Sequence, residues 1–210
     1  GDEMTKEINE RKQAESDLQV NQEKQEKLNK EIETQNKFKT GLQNLNTTML
    51  DVQKISELGN NVLDAIVTFL KIPLAAFFVF NTEKVYQRVA SYGYPQSRNL
   101  PDNFEPGSGY IGQVAKSMKP IMIEKIPEYA KTVLGFGEVT PKVVLVYPLI
   151  YNDEVIGILE LGSFEEFTDN QQSWLGQAAQ SISAVLRTIQ NLNEIKRNEK
   201  ILRESEEALR

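Results

Sequence analysis

Apolar residues are sparse over residues 1–50 and recur at steps of three and four, the period of a helix with one narrow apolar face. Ala14, Leu18, Asn21, Gln25, Leu28, Ile32 and Gln35 follow an a/d alternation, and Phe38, Leu42, Leu45, Met49 and Val52 continue it after a three-residue step. Such a step locally overwinds a coiled coil, and Asn and Gln in the seam weaken it while fixing its register. A lone helix with this pattern buries almost nothing, so a partner helix is implied; a solvated, frayed linker is the alternative. A second stripe, Leu175, Ala178, Ile182, Val185, Ile189 and Leu192, is extended by Ile195, Leu202 and Leu209 after another three-residue step. Thr168 or Asp169 is placed to cap this helix. Its first half has enough apolar surface to pack on a sheet, and the remainder resembles coiled coil.

Between the arms the period changes. Residues 55–72 place Leu58, Val62, Leu63, Ile66, Phe69 and Leu70 on one side of a helix, which Pro73 ends. "LAAFFVFN" and "KVYQRVASYG" predict a hairpin with Asn81 opening its turn, and "PIMIEKI", "KVVLVYPLI" and "VIGILELGS" predict further strands. If Asn152-Asp153 is a two-residue turn, Tyr151 opposes Glu154, and counting back Tyr147 opposes Ile158 and Leu145 opposes Glu160. Val146 with Leu159, and Val144 with Leu161, then form a wholly apolar face suited to the helices. The other face, with Tyr147 and Glu160, suits a partly polar cavity. "EYAKTVLGFGEVTP" has no clean period and is expected to be a mobile cover.

Composition sharpens this division. All eight prolines lie between Pro73 and Pro148, and the last twenty residues hold neither proline nor aromatic. The net charge of −6 includes no basic patch, which disfavours nucleic acid. No apolar run approaches the roughly 20 residues that span a bilayer, so no membrane contact by this chain is expected. The expected location is cytoplasmic, with the cytoplasmic part of a membrane-anchored receptor as the alternative. The chain contains no Cys and no His. Thiolate chemistry and the commonest general base and haem or zinc ligand are thereby excluded. No spaced acidic loop suggests a metal site. No cofactor, no metal site and no catalytic residue are expected, and the chain is read as not an enzyme.

Gly107-Ser108-Gly109-Tyr110-Ile111-Gly112 spells the dinucleotide-binding pattern G-x-G-x-x-G. That pattern has meaning only between a strand and a helix of a βαβ unit. "NLPDNFEP" precedes it, and two prolines do not end a buried strand. The glycines need another explanation.

The order of elements supplies one. "PGSGYIGQVAKSMKP", "YPLIYNDEVIGILEL" and the helix entry "FTDNQQ" together resemble the GAF domain, over roughly residues 54–190. The resemblance implies an α+β fold. A GAF-like antiparallel sheet carries helices on one face and a pocket-covering segment on the other, flanked by long N- and C-terminal coiled-coil helices. The organisation expected is a coiled-coil helix over 1–53, the GAF domain over 54–190 and a signalling helix over 191–210. In the family, the stretch like Pro106 to Gly112 is a turn into a short helix beside the ligand cavity. Bilin, haem and methionine-sulfoxide members use Cys or His, absent here. The phosphodiesterase-type cyclic-nucleotide motif is broken by Gly162-Ser163 and Gln171-Gln172.

"KILRESEEALR" resembles the lead-in to a PAS or kinase module of bacterial sensor histidine kinases. The function this implies is a regulatory GAF module of a dimeric signal-transduction protein, relaying a ligand or an upstream helix signal to an output domain. A ligand-free spacer and a small enzyme on the same scaffold are the alternatives. An unidentified small molecule is expected against Tyr110, Ile111, Tyr129, Phe136, Leu145, Tyr147, Ile158 and Glu160. Glu160 is the sharpest of these, because a mid-strand carboxylate, if buried, must be hydrogen-bonded, paired or bound; a salt bridge to Lys116 or Lys119, or simple exposure, is its structural alternative. A parallel homodimer is expected through Leu18, Leu28, Ile32, Leu42, Leu45, Ile182, Ile189 and Leu192.

Overall fold

A computed structural model describes residues 2–94, 101–124, 126, 132–134 and 137–208. The chain forms two compact units, Gly1–Gly41 and Leu42–Arg210. The first consists of most of helix α1 (Asp2–Thr48). Within it Leu18, Leu28 and Ile32 are exposed, as are Met4, Ile8 and Val20. Pairs such as Arg11–Glu15, one turn apart at 3.5 Å, support the helix locally.

The second unit begins with the last turns of α1, where Leu45 is buried, and the turn after it buries Met49. Helix α2 (Ile55–Leu70) buries the stripe Leu58, Val62, Leu63, Ile66, Leu70 read from its period. It stops because Lys71 takes a left-handed conformation (φ 56°) and donates its N–H to Val67 O, with Pro73 two residues on. The strands are β1 (Leu74–Phe80), β2 (Tyr86–Tyr92), β3 (Asn103–Phe104), β4 (Ile121–Ile123), β5 (Thr132–Leu134), β6 (Gly137–Val139), β7 (Val143–Tyr151) and β8 (Glu154–Ser163). Helix α3 (Gly109–Ser117) lies between β3 and β4, and α4 spans Asp169–Ala208. Six strands form one antiparallel sheet in the order β3-β2-β1-β8-β7-β4, while β5 and β6 pair separately within the segment expected to be a mobile cover.

Helices α2 and α4 pack on one face of the sheet and on each other, with Phe69 stacked on Trp174 at 4.2 Å between centroids. Helix α3 packs on the opposite face. Between two covered faces β1 is buried along Leu74–Val79. Thr168 caps α4 through a reciprocal pair: its Oγ1 accepts from Gln171 N (3.2 Å), and Gln171 Oε1 accepts from Thr168 N (2.9 Å). Leu175, Ala178, Ile182 and Ile189 of the α4 stripe are buried in this core. Leu45, Ile182 and Ile189 are therefore core residues of a single chain rather than dimer contacts. Leu42 is half-buried and Leu192 is exposed, as are Ile195 and Leu202.

The β7–β8 turn is as expected, with Tyr151 opposite Glu154 and positive φ at Asn152 (47°) and Asp153 (62°). Beyond it the expected register fails. An irregularity at Leu149/Ile150 leaves Ile150 opposite Val155 but Leu149 opposite Gly157, so Tyr147 meets Leu159, Leu145 meets Leu161 and Val146 meets Glu160. A one-residue slip exchanges faces. Leu145 and Tyr147 consequently lie on the α2/α4 face, where the Tyr147 hydroxyl sits against Gly176 of α4. Val144 and Val146 join the α3 face instead of the helix face.

Candidate functional site

The α3 face is built from Ala76 and Phe78 of β1, Tyr86 of β2, Val146 of β7, Val155 and Ile158 of β8, and Ile111 and Val114 of α3. Ile111 and Ile158 are thus brought together as expected, but as close-packed core. Tyr110 points away from it and is 52% exposed. Tyr129 and Phe136 lie outside the described residues. The polar end of this face belongs to Glu160, mostly buried at the middle of the sheet with Ala76 and Val146 as its strand neighbours.

Neither neighbour has a polar side chain, and Lys116 and Lys119 make no described ion pair with Glu160. Its partner is Tyr94, whose hydroxyl donates to Glu160 Oε2. Arg88 stacks over the Tyr94 ring at 5.1 Å and forms an ion pair with Asp102. The backbone reinforces this arrangement, since Arg88 N donates to Asp102 O at 2.8 Å. Arg88 reaches the α3 face through a second register shift: Phe77 opposes Ala90 but Phe78 opposes Arg88, leaving Val89 as the extra residue.

Burial pushes the Glu160 carboxyl above its ordinary value, and the Tyr94 hydrogen bond and the Arg88 charge only partly oppose this. The Tyr94 hydroxyl is raised by burial and by the adjacent Glu160 charge. At the apolar end, Tyr86 donates to Val155 O at 2.7 Å, and burial raises its hydroxyl to about 12. These environments keep both tyrosines protonated near neutral pH, where they act as hydrogen-bond donors.

A raised carboxyl has a defined sign in stability. The folded state holds the Glu160 proton more tightly than the unfolded chain, so its contribution is complete below the ordinary value of 4.5 and is lost as pH rises through the raised one. Glu160→Gln keeps an acceptor for Tyr94 and removes the titration. The variant is expected to match the wild type at acid pH and to melt several degrees higher at neutral pH, in thermal unfolding scans across pH. A gap between the two proteins that stays constant with pH would contradict the assignment.

The glycine-rich turn is explained by its own hydrogen bonds. Gly107 N donates to Gly112 O (2.7 Å), Gly112 N to Ser108 O (2.9 Å) and Ser108 N to Glu105 O (3.0 Å). Those amides are used internally and do not form a phosphate cradle. A shallow groove of about 430 Å³ runs outside α3 between Gly107, Gln113, Lys116, Ser117 and Ile121. Among the described residues Lys116 is its only charged lining residue, and the groove does not include the Glu160 cluster. Among the described residues no three acidic side chains converge on a metal-sized space, and no helix is long and apolar enough to cross a membrane.

This architecture coincides with a match between residues 53–187 and the family model of the GAF domain. The chain belongs to the GAF family. GAF domains are typically regulatory or sensory small-molecule-binding modules. No curated protein sequence matches this one. Solved structures share the fold at low identity. One is the GAF domain of a Coxiella burnetii phosphoenolpyruvate-protein phosphotransferase (18% identity, 75% of this chain and 96% of that one, TM-score 0.62). Another is free methionine-R-sulfoxide reductase from Neisseria meningitidis in complex with its substrate (13%, 74% and 91%, 0.58). A third is a methyl-accepting chemotaxis protein (14%, 70% and 98%, 0.55).

Of the sequence-derived candidates, the GAF fold brings Ile111, Ile158 and Glu160 to one face and turns Leu145 and Tyr147 to the other. Tyr94 lies two residues beyond the end of β2, outside any strand pattern. Arg88 and Asp102 were not singled out. The signal for Arg88 was its parity with Tyr86 in "KVYQRVASYG": residues two apart share a strand face.

Proposed function

We propose that this GAF domain is the sensory module of a dimeric bacterial signalling protein with a histidine-kinase-like output. A small molecule bound at the Glu160 end of the α3 face changes the sheet, and the flanking helices carry that change to the output domain. The observation behind this reading is the continuity of α4. One helix packs on the sheet through Ile189 and then runs on as an exposed segment to Ala208 without a break. A shift of the sheet against α4 is therefore transmitted along a rigid element, provided the two states differ by only a few kcal/mol.

The exposed apolar residues Leu192, Ile195 and Leu202, with Asn198 between them, supply the self-association surface. Leu202 is 62% exposed, so its replacement touches no core. Sedimentation equilibrium should show a dimer at high micromolar concentration for the wild type. Leu202→Asp should shift it toward monomer while its thermal unfolding stays within about 0.5 kcal/mol of the wild type. A wild-type protein that sediments as a monomer rules out the dimeric relay.

An enzyme on the same scaffold is the second reading, prompted by the sulfoxide reductase fold. It is disfavoured because the chain has no cysteine and no histidine to act as nucleophile or base.

A further inference from the structure

The buried residues of α4 and its exposed apolar residues lie on different faces. Leu175, Ala178, Ile182, Leu186 and Ile189 form the core stripe. Val185, Thr188, Leu192, Ile195, Glu199 and Leu202 follow one another at alternating steps of three and four with no interruption. At about 3.6 residues per turn, this second stripe is centred about 110° around the helix from the first. Val185 is half-buried and the other five are exposed. The three-residue step expected after Leu192 disappears, because it joined two separate faces into one. An unbroken alternation of three and four has a period of about 3.5 residues, which a supercoiled partner helix keeps in contact along its length. Val185, Leu192 and Glu199 then take a positions, and Thr188, Ile195 and Leu202 take d positions. Glu199 lies inside the arc spanned by the apolar members, whereas Asn198 falls about 40° outside it.

We infer that this face of α4 pairs with the same face of a second copy of the chain, parallel and in register, and that Glu199 is the residue that weakens the pairing. The inference rests on the dimeric reading above, and adds which residues meet and what limits them. The flanks of the stripe select the orientation. Lys196 and Arg203 line one side at e positions, while Asn191, Asn198 and Ser205 line the other at g positions. Parallel helices set e of one against g of the other, so each cation meets an uncharged side chain. Antiparallel helices would set e against e and bring the cations together. In the parallel pair Glu199 meets its own twin between the Ile195 and Leu202 layers, and Glu206 repeats the arrangement one heptad on. On its own helix Glu199 has Lys196 three residues before it and Arg203 four residues after it, which partly offset the paired carboxylates. Arg203 is shared with Glu207, whose Oε1 lies 3.6 Å from its Nε. Like charges facing across a seam oppose association. The outgoing helix thus pairs less tightly than its apolar residues alone would allow, as suits a relay whose states stay close in free energy.

The test uses the full chain in sedimentation equilibrium, together with its lack of cysteine. Glu199→Leu is expected to tighten the dimer roughly tenfold or more, because facing carboxylates become facing apolar side chains, and Glu199→Gln should tighten it by less. Asn198→Leu, outside the seam, should change the dimer constant by less than about threefold. Leu202→Cys should form a disulfide with its twin under mild oxidation, since equivalent d residues face each other in a parallel pair. Ile201→Cys, comparably exposed but turned away from the seam, should stay reduced. All four positions are exposed, so each variant should unfold thermally as the wild type does. If Asn198→Leu tightens the dimer as much as Glu199→Leu, or Ile201→Cys crosslinks as fully as Leu202→Cys, the inference fails while the dimeric reading stands. If the wild type and Glu199→Leu both sediment as monomers at high micromolar concentration, the inference and the dimeric reading fail together.

Discussion

Trp174→Ala is expected to destabilise the domain by about 3–5 kcal/mol, the range for truncating a large buried aromatic. Trp174 is 1% exposed and stacks on Phe69 with an interplanar angle of 22°. The pair joins α2 to the first turns of α4, so its loss removes both a transfer term and an inter-helix contact. No neighbouring side chain is placed to refill a cavity of that size, because α2 and α4 are fixed against the sheet by Leu58, Val62, Ile66, Leu175 and Ile182. For a chain of this length each kcal/mol corresponds to roughly 2–4 °C, so a fall of about 6–20 °C in Tm is expected by calorimetry. Trp174→Phe, which keeps an aromatic ring beside Phe69, should recover most of it. A loss under about 1 kcal/mol for Trp174→Ala would mean that α4 is not held at its start, and the relay through it would have no anchor.

That anchor matters because the other end of the packed part of α4 is held by different chemistry. Arg187 donates to Glu154 Oε2 at 2.7 Å and lies over the Tyr151 ring at 5.6 Å, and Gln190 Nε2 donates to Phe80 O at 3.4 Å. These contacts tie the helix, just before its exposed segment, to the β7–β8 turn and to the end of β1. Both strands also carry the α3 face, through Ile158 and Glu160 on β8 and Ala76 and Phe78 on β1. The α3 face and the outgoing helix are thus opposite sides of the same two central strands.

How much of this was legible depended on which interactions decide it. The long helices, the α2 stripe and the Asn152-Asp153 turn are local: their side-chain period or φ preference is written in consecutive residues. Asn81 likewise acts locally, its Oδ1 accepting from Glu83 N (3.0 Å) and Val85 N (3.2 Å) to shape the β1–β2 turn. The site was less legible because two extra residues decide its membership. One register shift near Gly157 moves Leu145 and Tyr147 away from Glu160, and another at Val89 brings Arg88 toward it. An isolated Gly within a strand pattern is a known sign of a bulge, and "VIGILEL" contains one. Applied to the hairpin count, it would have placed Val146 opposite Glu160. Nothing comparable marks Val89, whose neighbours are ordinary strand residues. Nor does sequence separate an apolar seam between chains from core, which is why Leu45, Ile182 and Ile189 were assigned to the wrong surface. The same three- and four-residue steps continue from the buried part of α4 into its exposed part.

Gly112→Ala tests a close approach of backbone to backbone at the α3 turn, and a large loss is expected there. A Cβ on Gly112 would lie 2.3 Å from Glu105 O and 2.7 Å from Gly107 N. Neither obstacle is a side chain that could change rotamer, so the turn at Glu105 to Ser108 must move and the Gly107–Gly112 hydrogen bond must break. Overpacking usually costs about 1–3 kcal/mol, and a backbone obstacle puts this substitution at the upper end or beyond. The functional consequence follows from what α3 carries: Ile111 and Val114, both buried, close the apolar end of the face over Phe78 and Ile158. Lifting α3 hydrates that cluster and loosens the wall next to Glu160. Gly107→Ala is the matched control. Gly107 has φ 91° but nothing within 4 Å of a Cβ, so it pays only for the left-handed backbone, about 1 kcal/mol. Chemical denaturation should rank the two variants in that order. Equal stability of the two would show that the turn is free to yield, and that the glycine pattern serves its own φ angles rather than the seating of α3 on the sheet.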